Sequence, residues 1–393
     1  MFKLNKYFFF FLLIGVTFSV NAQQKNLKLS GLVVDEFNEP IPYAAIGVPA
    51  KSIGTATTEE GTFFLLISKT NLVDVLEVSS IGFETFKIKI QDFLNLKEQK
   101  IVLKEAATQL DEFVLSTIKP IDYIKTTMKK LSKTTINREH KLKVLYRRFS
   151  VEDKKARLLV EHYLYVLDPG PKRGDFIGIN IVAGRKSADY RFVKKKIYGH
   201  PMHVIGYRNP MRKGFRTKDY NWERTGDTSY DGEDVLIVEG RLKKNKNDFI
   251  RFYVGMDSYG IYKIETSDLK ALYVYKKDAD GKLVLSYHNR TRTNNIKLTD
   301  FQKKALNTKK NFITESYKHE VYVLGVETKG RDVYDCDYIR TKGDIGDLKV
   351  NYNPDFWKTF NMPPNTAFYK QSAKELESIY GVPLSEQFKL VNQ

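Results

Sequence analysis

Ser30-Gly31-Leu32-Val33-Val34-Asp35, Glu39-Pro40-Ile41-Pro42-Tyr43-Ala44-Ala45-Ile46, Gly54-Thr55-Ala56-Thr57, Glu60-Gly61-Thr62-Phe63 and Ser80-Ile81-Gly82-Phe83-Glu84 decide how the front of this chain folds. Short apolar runs alternate there with turn chemistry, giving strand candidates at 29–34, 43–48, 62–67, 73–79, 85–90 and 100–103. Thr85-Phe86-Lys87-Ile88-Lys89-Ile90 alternates strictly with period two, so one face is buried and the other wet. Gly61 is expected to supply a positive φ at its turn, and Pro40 to stiffen the approach to the second strand. Several strands in about 75 residues, punctuated by Asn38-Glu39-Pro40 and Glu60-Gly61, predict a β-sandwich.

These residues resemble the carboxypeptidase regulatory-like domain, a transthyretin-like sandwich found at the front of exported Bacteroidetes proteins, including TonB-dependent receptors. The resemblance rests on Gly31-x-Val33-x-Asp35, Pro40-Ile41, Ala44-Ala45-Ile46, Gly54-Thr55, Thr57, Gly61-x-Phe63 and Ile81-Gly82-Phe83. Asn38 stands where Gly is usual, and Glu59 where Asp is common. The resemblance implies structural roles for Gly31, Asp35, Pro40, Gly54, Gly61, Phe63 and Gly82 in a seven-stranded-type, non-catalytic interaction module. The carbohydrate-binding-like label that some members carry rests on fold analogy alone.

Lys3 and Lys6 precede an apolar run from Phe8 to Val16, and Val20-Asn21-Ala22 is a small-residue cleavage site. This tripartite form predicts a signal peptide over 1–22, since an uncleaved anchor needs about 20 apolar residues. The expected destination is the periplasm or the periplasmic face of the outer membrane. Cys336 is the lone cysteine, so no intramolecular disulfide can form and the apolar core must hold the fold. It sits in a strand-like run, Tyr334-Asp335-Cys336-Asp337-Tyr338-Ile339, and reads as a packed core residue. Lys and Arg total 65 against 47 Asp and Glu, a formal charge of +18. That excess draws the chain toward polyanions. Export and the lack of any helix-turn-helix, zinc-finger or RNA-binding signature exclude nucleic acid and leave an anionic envelope surface, so peripheral outer-membrane association is expected.

The sandwich is assigned to 23–103, a linker to 104–120 and a β-rich domain to 121–393. Within the linker, Leu110-Asp111-Glu112-Phe113-Val114-Leu115-Ser116 reads as the sandwich's last strand or as a bridge. It also resembles the segment with which TonB-dependent receptors dock their energising protein by strand addition. A receptor barrel of 22 strands needs about 220 residues in strands alone, which this chain cannot supply beside a plug.

Pro120 opens a helix whose apolar stripe is Ile121, Ile124, Met128 and Leu131. Lys125, Lys129, Lys130 and Lys133 occupy the opposite side, and the stripe is expected to pack on the domain's own sheet. Strand candidates follow at 143–149, 157–167, 235–239, 249–254, 261–266, 271–275, 283–290, 315–323 and 333–339. Asp257-Ser258-Tyr259-Gly260 and Asp278-Ala279-Asp280-Gly281 are hairpin turns. The segments 353–361 and 373–379 are expected to cap the sheet. The predicted fold is mainly β: a sandwich, then a larger antiparallel meander with one or two packed helices. The run of hairpins with a helix also resembles, by pattern, the curved sheets of periplasmic lipoprotein carriers.

Chemistry is sparse. None of His140, His162, His200, His203, His288 or His319 starts a His-x-x-Glu pair, which excludes a metallocarboxypeptidase centre. His200-Pro201-Met202-His203 lacks an adjacent carboxylate or Cys partner. Gly255-Met256-Asp257-Ser258-Tyr259-Gly260 lacks nucleophile-elbow spacing. Gly343-Asp344-Ile345-Gly346-Asp347 reads as a turn, having too few oxygens for Ca²⁺. No catalytic, cofactor-binding or metal residue is assigned, and no cofactor is expected. The leading expectation is a non-enzymatic envelope protein holding a hydrophobic, glycan or protein ligand. The alternatives are an envelope-polymer hydrolase and a docking component of an outer-membrane receptor system. An apolar cavity under the helix would favour the binder, and a carboxylate pair about 5–10 Å apart in a cleft the hydrolase.

Overall fold

The computed structural model describes residues 26–106, 119–192, 205–206, 208–268, 270–340, 343–350, 352–360 and 362–391. The signal segment, the 110–116 motif and the His200/His203 pair lie outside the described residues. Seven strands form the front of the chain: β1 (Asn26–Val34), β2 (Ala45–Val48), β3 (Ile53–Ala56), β4 (Thr62–Ser68), β5 (Val75–Ser79), β6 (Phe86–Lys89) and β7 (Lys100–Val102). They make two layers, ordered β4-β1-β7 and β3-β2-β5-β6. Leu29, Phe63 and Leu65 from one layer meet Ile46, Leu76 and Val78 from the other in an apolar core. β4 alternates buried and half-buried residues along its length, as a strand with a single core-facing side must.

β3 was not anticipated. It holds only four residues, one of them Gly54, which lies opposite Gly47 on β2. The alternating run at 85–90 ends one residue early. Ile90 is fully buried and begins helix α1 (Ile90–Leu94), whose Phe93 ring lies 6.0 Å from that of Phe63 and closes the sandwich.

The rest of the chain builds a ten-stranded antiparallel sheet. Its strands are β8 (His140–Glu152), β9 (Lys155–Asp168), β10 (Gly178–Lys186), β11 (Tyr220–Tyr230), β12 (Glu233–Leu242), β13 (Phe249–Gly255), β14 (Ile261–Thr266), β15 (Ala271–Lys277), β16 (Leu283–Lys297) and β17 (Phe312–Glu327). β11 to β17 follow one another as neighbours, and β8, β9 and β10 continue from β17. The sheet curls around helix α2 (Pro120–Thr134), whose Tyr123, Ile124 and Leu131 share one core with side chains of β8, β9 and β12–β17. Thr127 is buried on the same face, so the contact stripe is wider than the aliphatic residues alone implied. The Tyr123 hydroxyl donates to the Gly255 carbonyl at 2.7 Å, tying the helix to the end of β13.

Two strands and one loop differ from expectation. β10 and β11 were missed because both are sheet edges: β11 is largely exposed and carries Glu223, Arg224 and Asp227, the charges that blunt an edge. The run at 333–339 is not a strand. Helix α4 (Gly330–Val333), which follows α3 (Asp300–Ala305), takes its start, and only Ile339 pairs, in a single bridge to Ile179. Cys336 is therefore a half-buried loop residue rather than a core one. Burial pushes its thiol above the ordinary value, the opposite of what a nucleophile needs.

Three more helices, α5 (Pro354–Thr359), α6 (Ala367–Ser378) and α7 (Leu384–Val391), cover another part of the sheet, where Phe149, Ala156 and Leu159 meet Tyr369, Leu376 and Phe388. The sandwich joins the large sheet through one bridge, Ile53 to Gly325, and through Tyr43, stacked 4.6 Å from Tyr287. No helix of the described residues is long and apolar enough to cross a membrane.

Candidate ligand groove

The motif residues of the sandwich hold turns and close approaches. A Cβ on Gly31 would come within 2.4 Å of the Gln99 carbonyl oxygen, and one on Gly61, at φ +71°, within 2.6 Å of the Val33 carbonyl oxygen. Asp35 Oδ1 accepts the backbone N–H of Phe37 and of Glu39 at 2.9 and 2.8 Å, and Asn38 takes φ +64° where Gly was expected. Pro40 forms a bridge to Val34, Phe63 is fully buried and Gly82 has φ +88°. Gly54 lies against Lys276 of the large sheet. These positions are dispersed over the sandwich and converge on no shared cleft.

In the large sheet, three buried carboxylates, Glu161, Asp344 and Asp168, are clamped by arginine. Glu161 on β9 accepts from Arg147 Nε at 2.8 Å and Arg185 Nε at 2.7 Å, forming a three-strand ladder. Asp344 accepts from Arg148 Nη1 at 2.7 and 2.6 Å, and its turn is closed by the Gly346 N–H at 2.8 Å. Asp168 is held in bidentate fashion by Arg212. Burial alone would raise all three carboxyls. The facing guanidiniums outweigh it and hold each below its ordinary value. A glycosidase-type general acid needs the reverse, a carboxyl kept protonated near neutral pH. The acidic run at 343–347 is thus a turn whose first carboxylate anchors a buried arginine.

Sequence reading also missed a buried histidine pair and a separate buried histidine. His288 Nε2 and His319 Nε2 are 3.2 Å apart on adjacent strands, and His162 contacts the Ile345 carbonyl oxygen at 3.1 Å. Nothing in their spacing announces this, because the β16–β17 register creates the pair. Among the described residues no three His, Cys, Asp or Glu side chains gather as a metal would require.

A wide opening lies beside α2 rather than beneath it. A groove of about 410 Å³ runs between Lys125, Met128, Lys129, Leu131 and Ser132 of the helix and the loop residues Pro171, Lys172, Met211–Phe215 and Thr217. Its floor is apolar: Leu131 and Met211 are buried, and Met128 and Phe215 pack on the same core. The Phe215 ring lies 5.5, 5.7 and 6.4 Å from those of Tyr220, Phe252 and Trp222, forming an aromatic wall. Its rim is basic, carrying Lys125, Lys129, Lys172 and Lys213; among the described residues no acidic side chain lines it, and Asp122, paired with Lys125 at 3.3 Å, stands just outside. The loop is fixed locally. Gly170 at φ +83° turns the chain, Arg212 Nη1 donates to the Gly170 carbonyl at 2.9 Å, and Asn209 Nδ2 donates to the Tyr275 hydroxyl at 2.8 Å. Pro171, Met211 and Arg212 also border a cavity of about 50 Å³ walled by Ile136, Leu142, Leu283 and Leu285.

Residues 29–115 match the model of the CarboxypepD_reg-like domain, so the family seen in the sandwich motifs is present over that span. No curated protein matches the chain. Among solved structures it is similar to a DUF1329 family protein from Desulfovibrio piger, at 12% identity and TM-score 0.25, covering 55% of this chain and 98% of that one. An outer membrane lipoprotein-sorting protein domain from Vibrio parahaemolyticus gives 12% identity and TM-score 0.27, covering 55% and 96%. A LolA superfamily protein from Nitrosomonas europaea gives 12% identity and TM-score 0.20, covering 52% and 93%.

Proposed function

We propose that this is a non-catalytic binding protein of the cell envelope, exported by its 1–22 segment, whose curved sheet holds an anionic amphiphile beside the α2 helix. The carrying observation is the groove: an apolar floor of Met128, Leu131, Met211 and Phe215 under a rim of four lysines, of which Lys125 is paired with Asp122 at 3.3 Å. A single acyl chain buries about 0.8 kcal/mol per methylene on such a floor, and a lysine rim selects an anionic head over a cationic one. The sandwich serves as the interaction module. The hydrolase reading is weakened because Glu161, Asp344 and Asp168 are each neutralised by arginine.

Titration with dodecyl phosphate, followed through the emission of Trp222 next to Phe215, tests this. Saturable binding is expected, weakened at least tenfold in the pair Lys129→Glu and Lys213→Glu. Equal binding of dodecyltrimethylammonium, or no effect of charge reversal, would refute it.

A further inference from the structure

A second cavity lies where the sandwich meets the large sheet, and one unpaired cation sits in it. Lys276 of β15 reaches toward β2 and β3. A Cβ on Gly54 would lie 2.1 Å from its Nζ, and one on Gly47 3.5 Å, so the two facing glycines leave the space that the ammonium occupies. Among the described residues this ammonium makes no hydrogen bond and no ion pair. The carboxylates bordering the cavity are committed elsewhere. Glu77 pairs with Lys87 at 3.1 Å, and Asp231 accepts from Lys277 Nζ at 2.9 Å and the Thr85 hydroxyl at 3.0 Å. Asp278 accepts the backbone N–H of Asp280 and Lys282 within its own turn.

Lys276 is half-buried, and a partly desolvated cation without a counter-charge is stabilised by an anion beside it or by a lower pKa. Burial pushes Lys276 down to about 8, so near neutral pH the group is still largely an ammonium. The cavity has a volume of about 60 Å³ and is also lined by Ser52, Ser79 and Thr85. One water needs about 10–15 Å³, so a small oxyanion fits.

We propose that this cavity is a small-oxyanion site, with Lys276 supplying its charge and a carboxylate or phosphate group as its ligand. The bound group would touch the sandwich and the curved sheet together, and so would strengthen their association. Neither the α2 groove nor its lysines contribute, which makes the site independent of the amphiphile reading.

The test uses the full chain at pH 7 and constant ionic strength, with chloride replaced stepwise by inorganic phosphate or, separately, by acetate. A saturable rise in thermal midpoint is expected with at least one anion. Response to phosphate alone identifies a phosphoryl ligand, and response to acetate alone a carboxylate. Lys276→Gln removes a half-buried unpaired charge, so it folds, and it should lose the rise, whereas the exposed control Lys244→Gln should keep it. Acetic anhydride labelling read by mass spectrometry gives a second measure, with modification of Lys276 slowed at least tenfold by the saturating anion. A midpoint unmoved by both anions, a rise that survives Lys276→Gln, or unprotected labelling would each overturn the proposal.

Discussion

The two halves of this molecule are both β, antiparallel throughout except for the parallel β1–β7 pair of the sandwich, yet they bury different things. The sandwich encloses Leu29, Ile46, Phe63, Leu65 and Leu76, an interior of hydrocarbon with its specificity in the turns. The curved sheet buries Arg147, Arg148, Glu161, Asp344, His162, His288 and His319 beside its apolar core. An apolar interior forgives small changes, while buried charge is stable only as long as each partner stays in place. The sandwich is therefore specified locally and the large sheet by pairs far apart in sequence, such as Arg148 with Asp344. Acidification and single substitutions should separate the two.

The largest separation is expected from pH. The sandwich has no histidine between residues 26 and 106. Burial pushes His162 down to about 4 and His288 to about 3, and burial next to His288 holds His319 well below its ordinary value. The unfolded chain takes up these protons near pH 6.5, and the folded chain does so only well below. The unfolded state therefore binds more protons in that window, and stability falls as pH drops through 6.5 until the folded values are reached. Three such groups cost about 4 kcal/mol at pH 5.5 relative to pH 8. Urea midpoints will show this loss, and hydrogen exchange will place it in β8, β9, β16 and β17 before the sandwich strands. Stability that stays flat from pH 8 to 5.5 would remove the contrast.

Breaking one buried pair comes next. Asp344→Ala strands Arg148, which is fully buried and has no acceptor for its Nε or Nη2 atoms. A loss of about 3–5 kcal/mol is expected by urea denaturation. The double change Arg148→Met with Asp344→Leu should recover most of it, since no charge is then left uncompensated.

The sandwich answers with its turns. Gly61→Ala forces a side chain into φ +71° and toward the Val33 carbonyl oxygen. About 1–3 kcal/mol should be lost there, the cost of strained backbone, with hydrogen exchange in the large sheet unchanged.

This contrast also explains what could be read from the chain. Gly61, Asp35 and Pro40 announce their turns within a few residues, so the sandwich is legible from local chemistry, and the period-two runs of β13, β14 and β15 are legible for the same reason. β3 escapes because four residues with a glycine carry no pattern. β11 escapes because an exposed, charged edge reads as loop. The run at 333–339 misleads in the opposite sense: its alternation is genuine, but only Ile339 pairs with the neighbouring β10, in a single bridge, and no ladder forms. Two of the groove's four lysines, Lys125 and Lys129, were visible as the polar side of a helix. Its other wall comes from residues 171–172 and 211–217, and no periodicity joins those segments to α2.

The smallest effect expected is at the joint between the halves, where charge contributes least. Lys318 Nζ lies 2.8 Å from Glu59 Oε2, and both side chains remain partly exposed. Exposed pairs of this kind contribute about 0–1 kcal/mol, and salt screens them further. Tyr43 instead stacks flat on buried Tyr287, a contact that does not depend on ionic strength. Lys318→Ala should therefore move the urea midpoint by less than about 0.5 kcal/mol and vanish in 0.5 M salt. Tyr43→Ala should cost about 1–2 kcal/mol at any salt and speed exchange along β2 and β3. If the lysine change proved the costlier of the two, the joint would belong with the charged interior of the large sheet rather than with the apolar one of the sandwich.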